Sequence, residues 1–398
     1  MTQRFKTVYF QDHPATSTEK KHIKIAFSDK ESDLYNKVSG LTSFEIRSLL
    51  GYTSYRTLKA DAESSRLPIS TFCKVLLDNL SIPILAEDQL ELFPDQYTNF
   101  ARNSIHATFA GGKEEPMHTW YPFLEGYSPS FVQSIVHVFC SSAKTIYDPF
   151  AGTGTTPVTV AEMGRRAFYS EVNPMLQYLI ETKVTALALV ESERDRISSS
   201  LSSIAANLDD KIAAAVPAHD LELSYRQAFG QSIFFDADTY KLVLRTRAYI
   251  DSLSIEDRAT ADFLTIAALS CLIPASLLIR AGDIRFKSEK ELLTKKVDYL
   301  RYLSSQVEKI SHDLLTVGTI ADRPVLLTED AKKLGLVASN GIDAVITSPP
   351  YLNGTNYFRN TKVELWFLRC LRDNSDLTRF RQKAVTAGIN DVVKKNNG

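Results

Sequence analysis

The spacing of hydrophobic positions changes along the chain and predicts its parts. Apolar residues at helical spacing over 130–138 precede a short apolar strand at 145–147, and a helix of small residues at 156–163 leads into a second strand at 167–170. Short apolar strands that alternate with helices are typical of a parallel sheet in an α/β domain. We therefore predict that an α/β core begins near residue 105.

Residues 190–318 have a different, longer pattern. Apolar residues recur every three or four positions over 291–315, and 259–279 is apolar on nearly all sides. The first pattern predicts an amphipathic helix and the second a buried one, so we interpret this stretch as a helical insertion. The α/β pattern then returns, with short strands predicted at 325–327 and 344–346.

The first hundred residues combine two patterns. Alternating runs at 6–10 and 22–27 could be strands, whereas 41–80 has the spacing of a helix-turn-helix or of an ordinary small helical subdomain. If residues 41–80 form a helix-turn-helix, the basic residues that could contact DNA are Arg47, Arg56 and Lys59. The predicted units are an N-terminal region at 1–104, a first α/β half at 105–189, the insertion at 190–318 and a second α/β half at 319–398.

Composition excludes several classes of protein. The formal net charge of the 398 residues is -1, so any surface for nucleic acid must be a local basic patch. The four cysteines contain no Cys-x-x-Cys pair and the seven histidines are scattered, which argues against a metal site or a disulfide framework and favours a reducing cytoplasm. No apolar run reaches about eighteen residues, so we expect neither export nor a membrane span.

A glycine-rich turn is the first segment with candidate chemistry. The residues DPFAGTGTT, from Asp148 to Thr156, directly follow a predicted strand and open a helix. Glycines permit a tight turn and close approach of a ligand, and the start of a helix presents free N–H groups. Glu171 ends the next strand, where a carboxylate can accept hydrogen bonds from ribose hydroxyls. On its own this turn could also be a simple link between a strand and a helix.

A proline-rich turn is the second segment with candidate chemistry. The residues TSPPY, from Thr347 to Tyr351, follow the strand predicted at 344–346. Two prolines end the strand and fix a rigid turn, which directs backbone carbonyls to one side, and the tyrosine adds a flat face. Such a turn can hold the amine of an extruded base. A structural loop at the end of a strand is an equal alternative when the motif is taken alone.

Together the two turns resemble the N4-cytosine/N6-adenine DNA methyltransferases. In that family the first motif holds S-adenosylmethionine (AdoMet) and the second is catalytic, so the resemblance implies a Rossmann-like AdoMet-dependent methyltransferase sheet with a large helical insertion and a small N-terminal helical region. Ser348 at the head of the second motif is more similar to the N4-cytosine branch. Further resemblance occurs at 117–129, 280–287 and 351–368. The Pro-Cys dipeptide of C5-cytosine methyltransferases is absent.

The resemblance also implies roles for residues. The AdoMet-binding residues would be Asp148, Phe150, Ala151, Gly152, Gly154 and Thr155, with Glu171 on the ribose. Asp330 would contact the adenine amine, although capping a helix explains it nearly as well. Part of 117–131 would close over the methionine end of the cofactor. The base pocket would be formed by Ser348, Pro349, Pro350 and Tyr351.

Two departures from the family pattern lead to an expectation about assembly. The two motifs are separated by the whole insertion, and the stretch after Tyr351 is short for the three further strands of the family's sheet. We therefore expect an incomplete catalytic half, completed by a second polypeptide, unless the chain is truncated or residues 1–40 donate strands. The leading hypothesis is a DNA methyltransferase of a restriction–modification system. The alternatives are methylation of adenine N6, methylation of an RNA base, and a non-catalytic DNA-binding subunit.

Overall fold

The computed structural model describes residues 115–123, 126–333, 341–350 and 357–385, and the backbone of two strands near the N-terminus. The chain divides into two compact units, Met1–Tyr97 and Thr98–Gly398. In the first unit, β1 (Arg4–Phe10) and β2 (Lys21–Phe27) form an antiparallel pair, as the alternating pattern predicted. The predicted helix-turn-helix, with Arg47, Arg56 and Lys59, lies outside the described residues.

The second unit contains the α/β core and the insertion. Its described strands are β3 (Thr145–Asp148), β4 (Arg166–Ser170), β5 (Leu278–Ala281), β6 (Asp283–Phe286), β7 (Val325–Thr328) and β8 (Ala344–Val345). Its described helices are α1 (Pro129–Phe139), α2 (Thr155–Glu162), α3 (Pro174–Ala188), α4 (Glu191–Ala206), α5 (Leu208–Ala214), α6 (His219–Phe229), α7 (Ala237–Glu256), α8 (Arg258–Ala275), α9 (Glu289–Lys295), α10 (Tyr299–Thr316), α11 (Tyr357–Asn360), α12 (Lys362–Phe367) and α13 (Asn374–Lys383).

Four strands form a parallel sheet in the order β7-β4-β3-β8. The chain moves outward from β3 to β4 and β7, then returns to place β8 on the other side of β3. In such sheets, ligands bind at the carboxyl ends of the strands where the direction of winding reverses. The reversal here lies between β3, which precedes the glycine-rich turn, and β8, which precedes the proline-rich turn. The prediction of a Rossmann-like α/β fold is confirmed.

The insertion packs around a central buried helix, α8. Nearly all of its residues are buried, and Trp120 contacts Phe263 edge to face with 5.8 Å between the ring centroids. Helices α4 and α10 pack against each other, and the Ser198 and Ser311 hydroxyls hydrogen-bond at 2.9 Å. Among the described residues, α8 alone is long and apolar enough to span a membrane, and 78% of it is buried inside the structure. It therefore has the surroundings of a core helix.

Two helix predictions are wrong in extent. The helix predicted at 291–315 is broken into α9 and α10, because the Asp298 carboxylate accepts from the Arg301 N–H at 2.9 Å and begins a new helix. The helix predicted at 259–279 ends at Ala275, and the chain continues into the β5–β6 hairpin. The Ser276 hydroxyl oxygen accepts from the Leu278 N–H at 2.9 Å at this change of direction. An apolar run does not by itself distinguish helix from strand.

The hairpin joins two stretches that are distant in sequence. The Asn360 side chain accepts from the Ile284 N–H at 2.9 Å and donates to the Gly282 carbonyl at 3.0 Å. The Arg280 guanidinium forms an ion pair with the fully buried Glu364. The segments 280–287 and 357–367, which belong to the stretches of further resemblance noted above, therefore lie against each other. The insertion is accordingly not entirely helical.

Candidate cofactor and base site

A cavity open to solvent lies at the carboxyl end of the sheet, and its empty space, which includes solvent at its mouth, is about 1100 Å³. The loops that follow β3, β4, β7 and β8 all contribute to its wall, together with the segment before α1 and the residues around the end of α13. Of the residues singled out from the sequence, those that line the cavity are Phe150, Ala151, Gly152, Thr155, Glu171, Ser348 and Pro350. The structure thus places parts of both motifs around one space.

Two glycines shape the turn between β3 and α2. Gly152 and Gly154 have φ angles of +55° and +85°, in the left-handed region that disfavours other residues. A Cβ atom on Gly154 would lie 2.7 Å from Cγ1 of Ile180 in α3. One on Gly152 would meet, within the described part of the chain, only Phe123, at 3.6 Å. Gly154 is not part of the cavity wall. Its function in the fold is to let α2 begin directly against α3.

Asp148 holds the glycine-rich turn by hydrogen bonds from behind the cavity wall. Its carboxylate is buried and accepts from the Phe150 N–H at 3.0 Å and from the Tyr127 hydroxyl at 3.2 Å. The Tyr127 hydroxyl also hydrogen-bonds Thr156 at the start of α2. Burial raises the pKa of Asp148, and these hydrogen bonds oppose the shift. Asp148 therefore fixes the first residues of the turn and lies behind the cavity wall.

Glu171 faces the cavity and also holds the turn. One carboxylate oxygen accepts from the Gly152 N–H and the other from the Asn173 N–H, both at 2.8 Å. Burial raises the pKa of Glu171 to about 7, although the hydrogen bonds from these amides oppose the shift. Each carboxylate oxygen has a second lone pair, so the side chain can still accept from the hydroxyls of a ribose.

The pKa of Glu171 leads to a prediction about pH. If the ionised carboxylate accepts from a ribose, AdoMet affinity should rise between pH 6 and pH 8, by at most about tenfold, because the ionised fraction rises from roughly a tenth to roughly nine tenths. Glu171→Gln cannot ionise and should bind AdoMet more weakly, with this part of the pH dependence removed. Calorimetry at pH 6, 7 and 8 compares the two proteins. Equal pH slopes would exclude Glu171 as the titrating group.

The proline-rich turn begins beside the glycine-rich one. Ile146 of β3 is opposite Ala344 of β8, and the Ile346 N–H donates to the Tyr147 carbonyl at 3.1 Å. At the other end of the pair, the Asp343 carboxylate accepts from the Thr145 N–H at 2.9 Å. This register brings both turns to the same edge of the sheet. Of the catalytic candidates, Ser348 and Pro350 line the cavity, Pro349 does not, and Tyr351 lies outside the described residues.

The Asp330 carboxylate has a local hydrogen-bond partner. Its carboxylate accepts from the Lys332 N–H at 3.0 Å, which caps a turn and not the helix expected there. Asp330 is not in the cavity wall, whereas its neighbours Glu329 and Ala331 are. Of the two adjacent acids, Glu329 therefore lines the cavity, and the contact of Asp330 with an adenine amine stays a prediction.

Sequence reasoning missed the wall formed near the end of α13. Lys383, Ala384 and Val385 line the cavity together with Phe358 of α11. The Lys383 ammonium lies 2.6 Å from the Glu329 carboxylate. The only sequence signal was an Asp373 cap in front of a short helical pattern that contains one aromatic residue, Phe380. Nothing in that pattern indicates which surface the helix covers.

Contacts between backbone and side chain hold this wall in place. The Lys332 ammonium donates to the carbonyls of Gln382 and Ala384, each at 3.0 Å. The rings of Phe358 and Phe380 stack with 5.4 Å between their centroids. The segment after β7 is therefore tied to the end of α13 on one side of the cavity. On another side, Phe123, Gly126 and Tyr127 line it, within the segment expected to close over the cofactor.

Comparisons with known proteins agree with this geometry. No protein-family model and no solved structure matches the chain. The chain is 22% identical over 327 residues to the type II methyltransferase M.BsoBI of Geobacillus stearothermophilus, an alignment that covers 72% of this chain and 59% of that protein. It is 24% identical over 373 residues to the type II methyltransferases M.AvaI of a Nostoc species and of Anabaena variabilis, covering 89% of this chain and 72% of each relative.

The chain thus spans about three fifths of the length of M.BsoBI. These relatives support methyltransferase ancestry, but they give no support for a second polypeptide and do not distinguish cytosine N4 from adenine N6. In its sequence, the chain is therefore similar to type II methyltransferases.

Proposed function

We propose that the chain is an AdoMet-dependent DNA methyltransferase of a restriction–modification system, which methylates the exocyclic N4 amine of cytosine at a specific site. The observation that carries the proposal is that the glycine-rich and proline-rich turns leave adjacent strands and line one cavity. A methyl transfer needs the donor and the acceptor to be held side by side, and positioning supplies much of its rate.

The residues of the cavity suit AdoMet. The positive φ angle of Gly152 in the cavity wall lets the backbone approach a ligand closely, and Glu171 supplies acceptors for ribose hydroxyls. Phe123, Val172 and Leu176 add apolar surface. AdoMet supplies an electrophilic methyl group on its sulfonium. We expect no metal ion in this chemistry.

The proline-rich turn would prepare the acceptor. The carbonyl of Ser348, which lines the cavity, would accept a hydrogen bond from an N–H group of the base amine, while Tyr351 would stack on the base extruded from double-stranded DNA. The lone pair of the amine is normally delocalised into the ring. Hydrogen bonds from its protons to fixed acceptors make the nitrogen more nucleophilic, and the proton released on methylation passes to solvent.

Cytosine N4 is proposed over adenine N6 because a serine, Ser348, directly precedes the two prolines of the catalytic turn. We expect N4-methylcytosine when DNA incubated with the purified chain and AdoMet is digested and its nucleosides are separated by mass spectrometry. N6-methyladenine would reassign the target atom. If AdoMet and DNA are both bound but no methylated nucleoside forms, the chain is a DNA-binding subunit. A variant with Pro350→Ala serves as the control for contaminating host methylation.

The DNA contacts proposed from the sequence are Arg47, Arg56 and Lys59. With a formal net charge of -1, the chain has no general attraction to nucleic acid, so a local group of basic side chains is needed. These residues lie outside the described part of the chain, and their role rests on the helix-turn-helix spacing alone.

A further inference from the structure

Lys183 is a fully buried lysine directly behind the glycine-rich turn. It lies in the middle of α3, has no exposed surface, and its ammonium donates to the Thr153 carbonyl at 2.8 Å. Thr153 is the residue between the two glycines and lines the cavity. The side chain therefore connects α3 to the part of the turn that would face a ligand.

The surroundings of Lys183 disfavour a positive charge on its side chain. Burial lowers the pKa of Lys183 to about 7, and the charge of Glu162 only partly opposes the shift. Glu162 itself has a pKa raised to about 7, first by burial and then by the charge of Glu115. His118 is buried, and neither ring nitrogen has a hydrogen-bond partner among the described residues. Its pKa is lowered by burial and by the charge of Lys183.

Fold stability alone does not account for a lysine here. Replacing a poorly compensated buried charge with an apolar side chain of similar volume is often neutral or stabilising. A methionine would fill much of the same space without the cost of desolvation. A lysine at this position is explained if its hydrogen bond to the turn has a function in binding.

The contacts of the turn show what the hydrogen bond does. The peptide group between Thr153 and Gly154 is held at both ends, because its carbonyl accepts from Lys183 and its N–H donates to the Ala151 carbonyl at 2.8 Å. Glu171 holds the preceding N–H of Gly152. A planar peptide fixed at both ends cannot rotate, so the direction of the neighbouring groups in the cavity wall is fixed as well.

We propose that Lys183 is a positioning residue for AdoMet, which acts through the Thr153 carbonyl by holding the glycine-rich turn in the shape that binds the cofactor. This inference rests on the proposed function. Without the ammonium, the Thr153 carbonyl loses its buried partner and the peptide can turn that oxygen elsewhere, at a cost to every contact that the cofactor makes with the turn.

The test compares Lys183→Met with Lys287→Met. Lys287 is also a buried lysine with a lowered pKa, and its ammonium donates to carbonyls at the end of α8, away from the turn. We expect Lys183→Met to weaken AdoMet binding by at least about tenfold in calorimetry, the effect of losing one buried hydrogen bond to a charged donor. The KM for DNA should stay within about twofold. Lys287→Met should bind AdoMet as the wild type does.

Thermal unfolding of both variants separates binding from folding. Lys183→Met is expected to keep its melting temperature while losing affinity, a combination that a purely structural residue would not give. If it does not fold, Lys183→Gln is measured against the same control. Wild-type affinity in the folded Lys183 variant, or an equal loss in both lysine variants, overturns the inference. If the wild-type protein binds no AdoMet, the proposed function itself is wrong, whatever the two lysine variants do.

Discussion

Gly154→Ala is expected to reduce AdoMet affinity by about a hundredfold or more. A left-handed backbone costs a residue with a Cβ about 1–2 kcal/mol, and overpacking adds about 1–3 kcal/mol. The new Cβ would lie 2.7 Å from Ile180, which is fully buried and has little room to move. The turn must therefore move instead, and with it Ala151 and Gly152 in the cavity wall. Calorimetry with purified protein measures the loss.

Gly164→Ala is a matched control for this variant. Gly164 has a φ of +72°, and no atom of the described residues lies within 4 Å of the position of a Cβ there. Gly164→Ala therefore introduces the same kind of backbone strain without a clash and outside the cavity wall. The stability of this variant should fall, while its AdoMet affinity should equal that of the wild type. Adding Ile180→Ala to Gly154→Ala should restore part of the affinity. Unchanged binding by a folded Gly154→Ala protein would mean that the turn does not hold the cofactor.

Tyr351→Ala is expected to reduce methyl transfer by about a hundredfold while AdoMet affinity stays within a few-fold. Stacking on an extruded base is worth about 1–3 kcal/mol, and it exists only when DNA is bound. Loss of the stack also leaves the base amine less well positioned for attack, which adds to the effect on rate. Transfer of a tritiated methyl group to DNA measures the rate, and calorimetry measures cofactor affinity.

Tyr351→Phe separates stacking from the hydroxyl. It keeps the flat ring, and we expect it to retain most of the activity. A Tyr351→Ala protein that loses AdoMet binding in proportion to its activity would assign the residue to the cofactor. A protein that retains full methylation would remove Tyr351 from the base pocket.

The strands of the sheet could be predicted from the sequence because each one is a short apolar run that stops at a distinctive residue. The strand at 145–147 stops before Asp148-Pro149, and the one at 344–346 stops before two prolines. Their observed ends differ from the prediction by one residue. The β5–β6 hairpin could not be predicted, because its first strand continues the apolar pattern of α8 and its stability depends on Asn360, about 80 positions away.

The site was predictable where a motif defines it. The turns around Gly152 and Ser348 contribute residues to one cavity, as expected if they act together. Asp330 shows the limit of this reasoning, because two adjacent acids after a strand do not reveal which one faces inward. The wall that contains Lys383 and Ala384 depends on hydrogen bonds from Lys332 to backbone carbonyls. Such contacts leave no periodic signal in the sequence.

The sheet order also explains how so large an insertion is compatible with the site. The chain leaves the sheet after β4 and returns at β7, and these two strands are direct neighbours. The two motif turns follow β3 and β8, a different pair of neighbours. A segment inserted between α3 and β7 begins and ends at neighbouring strands, β4 and β7. Its length therefore does not change the distance between the two motif turns. An insertion at this position leaves the two motif turns side by side, so the long interval between the motifs in the sequence does not argue against their acting at one site.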